Sequence, residues 1–314
     1  MPCYYPLEGY RSKEPNENGK YPIVFGNQGA QTDDPVRLPC GKCIGCRLET
    51  SRQWAIRCHH ESQLHDENCF ITLTYDEENL PEDFSISKKV WQNFMYKLRD
   101  RIKPIKIRFF MCGEYGEKVT PEGVKIFGRP HYHAIIFGYD FKDKELYNVS
   151  NGNNIYTSKL LEQIWGNGFV TIADCNMKTA AYTARYIMKK ITGDEAMDHY
   201  QLLDEETGQV FLREPEFTLQ SRRPGIAADW YTKYKSDLKK GFITIDGIKM
   251  SFPKYYEKLI EREEDESLYD DLTERKRQSL DYYDPENGMD RLRTKENVKL
   301  IRTKTLKREL DNEN

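Results

Sequence analysis

Apolar and polar positions fall along this chain in short runs that predict strands and in longer runs of helical spacing. The clearest strand lies in 128–138, Gly-Arg-Pro-His-Tyr-His-Ala-Ile-Ile-Phe-Gly, an apolar, β-branched run bounded by Pro130 and Gly138. Residues 70–75 alternate apolar and polar side chains and predict a second strand. The stretch 105–116, which ends in Glu114, predicts a third, and 168–172 a fourth. Helical spacing is seen from 49 to about 64, where Trp54 and Cys58 lie four apart. It recurs over 87–102, with Val90, Phe94 and Leu98 on one face, Ser87 as N-cap and Pro104 as the stop. A short helix over 159–165, an alanine-rich one over 177–190 and a later one carrying Trp230 and Tyr234 complete the set. Residues 1–39 show little periodicity and read as an extended arm, 140–158 as a polar linker, and 194–220 as an acidic loop or insertion. No internal repeat is present.

Length and composition narrow the classes. A chain of 314 residues buries a substantial core, so one large domain with elaborations is expected. The division expected is an arm with a cysteine cluster and helix over 1–64, a core over 65–240, and a charged extension over 241–314. That extension is acidic from 257 to 290 and basic from 291 to 308, the latter reading as a weakly ordered nucleic-acid contact. Net charge is −3 with 32% charged residues, which leaves room for a local basic surface. No run is long and apolar enough to span a bilayer, and Met1-Pro2-Cys3-Tyr4 has no signal-peptide character, so no membrane partner is expected. In that setting the eight cysteines read as reduced thiols and metal ligands, and the chain as intracellular.

Candidate chemistry concentrates in three places. His131 and His133 are two apart on a strand, so both imidazoles project from one face and form a pair of metal ligands. Taken alone, a His-x-His is more often one core histidine and one solvated one. Glu114 would ordinarily be a solvated turn residue, but antiparallel pairing of its strand with the histidine strand would bring it beside the pair. Cys40, Cys43 and Cys46 form Cys-x-x-Cys-x-x-Cys with glycines between the sulfurs, a tight arrangement suited to structural zinc, with an iron–sulfur cluster or free thiols as rivals. Cys3 is the fourth ligand favoured, and Cys58 and His59 are alternatives. On the 177–190 helix, Tyr182, Tyr186 and Lys189 share one face, and Lys178, Arg185, Lys189 and Lys190 supply four cations with no acid. A tyrosine pair at that spacing is usually packing. Arg222 and Arg223 sit in a basic turn that reads as a phosphate contact or as solvated arginines at a helix start.

Together these parts describe phosphodiester cleavage, with a divalent ion on the histidines and a carboxylate, a tyrosine nucleophile and cations along the strand. At these residues the chain resembles a known family. His131-Tyr132-His133 is similar to the HUH motif of rolling-circle replication initiators, Tyr182-x-x-x-Tyr186-x-x-Lys189 resembles their paired-tyrosine motif, and 70–75 resembles their first strand motif. With the cysteine cluster and Ser221-Arg222-Arg223-Pro224-Gly225, the chain resembles the replication initiation proteins of small single-stranded-DNA phages, the gokushovirus branch of the microviruses, over 1 to about 240. The resemblance implies an α+β fold, an antiparallel sheet with flanking helices of the RRM- or ferredoxin-like palm type. It implies Mn²⁺ or Mg²⁺ at the histidines, with Zn²⁺ expected at the cysteines. It further implies nicking of single-stranded origin DNA to leave a 5′-phosphotyrosine and a 3′-OH primer, and rejoining for rolling-circle replication. Host helicase and polymerase are then the expected partners in the bacterial cytoplasm, since no Gly-x-x-x-x-Gly-Lys-Ser/Thr loop is present. A non-enzymatic zinc-containing DNA-binding protein and an HUH relaxase or transposase are the competing readings.

Overall fold

Where the sequence reads as an unpatterned arm, three short strands pair with one another. The computed structural model describes all residues except 1–2, 18, 20, 27, 120–124, 151, 186–194, 204–207, 264–267, 269, 271, 273, 275–284 and 305–314. In it β1 (Leu7–Ser12) lies between β2 (Ile23–Val24) and β3 (Ala30–Leu38) in a small antiparallel sheet. Among the described positions of these strands only Gly9 and Ala30 are buried, so no continuous buried face imposes the alternation by which a strand is read. Contacts divide the chain into two compact units, one of Met1–Thr50 with Gln278–Arg308, the other built on Ser51–Arg277. In the first, Tyr4, Cys43, Cys46 and Leu292 form a small buried cluster. Leu292 belongs to a helix, Met289–Lys304, where the sequence suggests a weakly ordered tail.

The second unit holds the larger core. Helix α1 (Ile44–Ser62) starts earlier than the pattern predicts. After it come β4 (Asn68–Tyr75), α2 (Lys88–Arg101), β5 (Arg108–Val119) and β6 (Lys125–Phe137). Ser87 caps α2 as expected, its Oγ accepting from the Lys89 N–H. The expected polar linker is instead a hairpin, β7 (Glu145–Ser150) and β8 (Asn153–Thr157), with exposed side chains throughout β7 but for its last residue. Then follow α3 (Lys159–Trp165), β9 (Gly168–Asp174) and α4 (Met177–Arg185). The acidic stretch 194–220 contains α5 (Glu195–Tyr200), a hairpin of β10 (Gln201–Leu203) and β11 (Val210–Leu212), and β12 (Phe217–Gln220). A loop expectation fails there because β12, only four residues long, is defined by its partner β5 rather than by its own pattern. Helices α6 (Ala228–Tyr234) and α7 (Lys254–Arg262) close the described core, separated by a hairpin of β13 (Ile243–Ile245) and β14 (Ile248–Met250).

Seven strands form one antiparallel sheet in the order β12-β5-β6-β4-β9-β8-β7. Its four central strands, with α2 and α3 on one face, have the connectivity of a ferredoxin-like β-α-β-β-α-β unit. The fold is therefore α+β, an antiparallel sheet flanked by helices. Odd-numbered residues of β4 (Cys69, Ile71, Leu73, Tyr75) pack against Trp91, Phe94, Met95 and Leu98 of α2. Even-numbered ones turn to the other face, where Phe70 joins residues of α1, α4, α6 and α7. That second face has three cross-strand rows, read β5-β6-β4-β9: Phe110-Ile135-Phe70-Ala173, then Cys112-His133-Thr72-Thr171, then Glu114-His131-Thr74-Phe169. The first row is buried throughout, and the third ends in a solvent-exposed phenylalanine.

Candidate active site

The two histidines and the glutamate meet because of register. Glu114 stands directly opposite His131 in the β5–β6 ladder, and His133 is two residues further along the same face. Glu114 Oε1 lies 2.8 Å from His131 Nε2 and 2.9 Å from His133 Nε2. Glu114 is 1% exposed and His133 4%, so a carboxylate and an imidazole are held in the protein interior. Tyr132, between the histidines, faces the other core, where its hydroxyl accepts from the Ser87 N–H at 2.8 Å and burial pushes its pKa up.

The outer nitrogens of the imidazoles decide what the inner ones present. His131 Nδ1 is 3.0 Å from the Arg129 carbonyl, which only accepts, so that nitrogen carries a proton. Thr72 Oγ1 is 2.9 Å from His133 Nδ1 and can accept in the same sense. With each Nδ1 protonated, both Nε2 atoms of neutral imidazoles turn lone pairs toward one carboxylate oxygen. Three Lewis bases at such separations need a cation among them, either imidazolium protons or one metal ion. An octahedral ion with bonds of about 2.1 Å has ligand-to-ligand edges of about 3 Å, close to the spacings seen here. The donor set, two imidazoles and one carboxylate with the remaining positions open, suits a divalent ion of the Mn²⁺ or Mg²⁺ kind.

Helix α4 brings a phenol to this group. Asn176 caps it, Oδ1 accepting from the N–H groups of Lys178 and Thr179, while Thr179 Oγ1 accepts from the Asn176 N–H. The Tyr182 ring then stands edge-on to His133, with centroids 5.2 Å apart and planes at 84°, and edge-on to Phe70 at 5.9 Å. Tyr182 is 5% exposed. Its burial agrees with packing, but the packing is against a histidine that faces Glu114. Lys178, one turn earlier on α4, is exposed, and Arg185, at its end, is half-buried. Tyr186, Lys189 and Lys190 lie outside the described residues.

Arg222 and Arg223 are exposed on a turn held from beneath. Arg57 donates to the Ile226 carbonyl at 3.0 and 3.1 Å, Arg108 to the Pro224 carbonyl at 2.8 Å, and the buried Glu61 accepts from the Ala227 N–H at 2.5 Å. Arg222 lines a groove with Trp91, Tyr96, Arg99 and Phe109, beside α2 and thus away from the face that carries Glu114 and the histidines. Thr72 and Arg129, which set the imidazole tautomers, were not singled out from the sequence. Only their places, Thr72 directly opposite His133 in the β4–β6 ladder and Arg129 two residues from His131 along the strand, point to them.

In the other unit the four cysteines Cys3, Cys40, Cys43 and Cys46 converge. Cys40 and Cys46 sulfurs are 4.0 Å apart, and those of Cys3 and Cys43 3.9 Å. Tetrahedral zinc with bonds of about 2.3 Å sets sulfurs about 3.8 Å apart, so the cluster fits such an ion and no disulfide. Backbone N–H groups of Cys40, Cys43 and Tyr4 donate to the sulfurs of Cys3, Cys40 and Cys43. Burial opposes ionisation of Cys40, yet the N–H groups of Cys43 and Lys42 outweigh it and bring the thiol down to about 7. Burial pushes the Cys46 thiol up. The rival ligand Cys58 is instead wholly buried in the helical core of the second unit.

Comparison with known proteins follows the same boundaries. The family model for replication-associated protein ORF2/G2P matches residues 68–191, which include β4, β5, β6, β9 and α4. Replication-associated protein VP4 of Bdellovibrio phage phiMH2K is 30% identical over 235 residues, 70% of this chain and 66% of that protein. Replication-associated protein ORF2 of Spiroplasma virus 4 is 30% identical over 305 residues, 89% of this chain and 87% of that protein. Replication-associated protein ORF4 of Chlamydia phage 1 is 28% identical over 233 residues, 72% of this chain and 54% of that protein. No solved structure matches.

Proposed function

The chain belongs to the family of microvirus replication-associated proteins, and on that premise we propose that it is an HUH-type endonuclease that nicks single-stranded origin DNA to start rolling-circle replication. The observation that carries this reading is the phenol-bearing ring of Tyr182, edge-on to an imidazole that itself faces Glu114. The phenol of Tyr182 on α4, or that of Tyr186 four residues on in sequence, gives up its proton and attacks the scissile phosphorus. The bond to the 3′ oxygen breaks, that oxygen takes up a proton and leaves as a 3′-OH primer, and the 5′ phosphate stays on the tyrosine. Attack by a 3′-OH on that phosphotyrosine reverses the step and rejoins the strand without an external energy source.

Free tyrosine ionises near pH 10, so the nucleophile needs a cationic setting. Lys189, three residues beyond Tyr186 in sequence, neutralises charge on the phosphate in this reading. Glu114, His131 and His133 would hold Mn²⁺ or Mg²⁺, which polarises phosphate oxygens when bound. Lys178, Arg185, Lys190, Arg222 and Arg223 contact the DNA backbone, and Zn²⁺ on the four cysteines is structural. Work that this chain has no phosphate loop to perform falls to host helicase and polymerase in the bacterial cytoplasm.

The test is incubation with Mn²⁺ and circular single-stranded phage DNA, followed by a denaturing gel. A protein–DNA adduct and a cut strand are expected, both lost when Tyr182 and Tyr186 are changed together to phenylalanine. DNA that is shifted in a native gel but never cut overturns the reading.

A further inference from the structure

Phe169 ends the third cross-strand row, beyond Thr74. It is 67% exposed, although a phenylalanine on a central strand normally buries its ring. The row runs Glu114-His131-Thr74-Phe169, so Phe169 lies on the same sheet face as the metal-ligand group and two strands away from His131. Two strand spacings make about 9.6 Å. Thr74 lies between them and Thr171 beside them, both half-buried, so the interval is a shallow polar strip and not a wall. The backbone that carries the ring is also firmly placed. Gly168 has φ +135°, and a Cβ there would come within 2.3 Å of the Asp76 nitrogen, so β9 closes onto the end of β4 as no other residue allows. Asp76 N–H donates to the Asn167 carbonyl at 3.1 Å, and the Trp165 indole to the Thr74 carbonyl at 3.0 Å, which ties the chain just before Phe169 to the end of β4.

We infer that Phe169 is a base-stacking platform, on which a nucleobase next to the scissile phosphate of the single-stranded substrate rests its face. The occupant follows from continuity with the candidate active site. A strand whose phosphate reaches His131 must carry its neighbouring bases across this strip, and an exposed aromatic face fixed on a strand suits any base without reading its identity. The platform sets where along the strand cutting occurs by fixing the adjoining nucleotide. It rests on the proposed nicking reading, and the test separates the two.

Wild-type protein and the variants Phe169→Ala, Phe169→Leu and Phe169→Tyr are titrated, with Mn²⁺, against origin oligonucleotides carrying a single abasic site at successive positions around the cut. Adduct formation is followed in parallel. Phe169→Ala and Phe169→Leu are expected to weaken binding of the intact oligonucleotide roughly 5- to 150-fold, the range a lost base–aromatic stack gives, while Phe169→Tyr retains it. At one abasic position wild type should show the same loss, and Phe169→Ala no further one. Leucine keeping full affinity, or losses that add at every abasic position, overturns the stacking assignment even where wild type forms its adduct. Absence of any adduct from wild type on intact DNA overturns the nicking reading instead, whatever Phe169 does for binding. An exposed side chain is not expected to be needed for folding, and unchanged circular dichroism of Phe169→Leu checks this.

Discussion

Thr72 Oγ1 at 2.9 Å from His133 Nδ1 and the Arg129 carbonyl at 3.0 Å from His131 Nδ1 orient the imidazoles that the mechanism needs. The threonine is the removable one of the two. Thr72→Val keeps the shape and the β-branching but deletes the acceptor, so divalent-ion affinity is expected to fall roughly 10- to 100-fold, as measured by Mn²⁺ titration calorimetry. Unchanged affinity would place the ion elsewhere. His131→Ala removes a proposed ligand outright and should abolish ion-dependent nicking while leaving native-gel binding of DNA in place. Tyr182→Phe is more informative than alanine, because the ring that packs on His133 and Phe70 is preserved and only the hydroxyl is lost. Its melting temperature should stay near that of wild type, and any fall in adduct then reports on chemistry.

At the scale of elements, α1 carries a titration the nicking chemistry does not use. His60 stacks on Trp230 with centroids 3.6 Å apart, and its Nδ1 is 2.8 Å from the Tyr256 hydroxyl. Burial, and then neighbouring His59, bring its pKa down to about 3. The unfolded chain has it near 6.5, so between those values only the unfolded state gains a proton. Stability is therefore complete above about pH 6.5 and falls as pH drops toward 3, by up to about 1.4 kcal/mol per pH unit. Urea midpoints taken at pH 7, 5 and 4 should decline more steeply for wild type than for His60→Phe; parallel declines would contradict the account. The cysteine cluster yields a prediction of its own. Purified protein should carry one zinc per chain by elemental analysis, lost in Cys43→Ser together with the cooperative melting of the unit that holds it.

The whole molecule shows what a sequence can and cannot disclose. The His131 strand, the Glu114 strand and the capped α2 were legible because burial on one face or both forces periodicity, and the pairing of β5 with β6 followed from their adjacency. The arm sheet, the β7–β8 hairpin and β12 were not, because exposed or four-residue strands take their definition from a partner. The candidate site divided in the same way. His131, His133, Glu114, Tyr182 and the four cysteines stood out by residue type and spacing, and the structure draws them into two groups. Thr72 is an ordinary residue brought opposite His133 by register, and the Arg129 carbonyl meets His131 from two residues away on the same strand. Arg222 reads as a phosphate contact or a solvated arginine, and in the structure it lines a groove beside α2. No helix among the described residues is long and apolar enough to cross a membrane.

In the proposed reaction Tyr182 or Tyr186 and the Glu114–His131–His133 group act on one phosphate. Mapping the covalent adduct tests it most directly. After reaction with Mn²⁺ and origin DNA, nuclease trimming and trypsin digestion, Tyr182 falls in the peptide after Lys178 and Tyr186 in the one after Arg185, so mass spectrometry distinguishes them. The account predicts a nucleotide mass on one or both of these peptides, absent when His131 is alanine. A nucleotide on a tyrosine other than Tyr182 and Tyr186, or an adduct that forms equally well without His131, would contradict it.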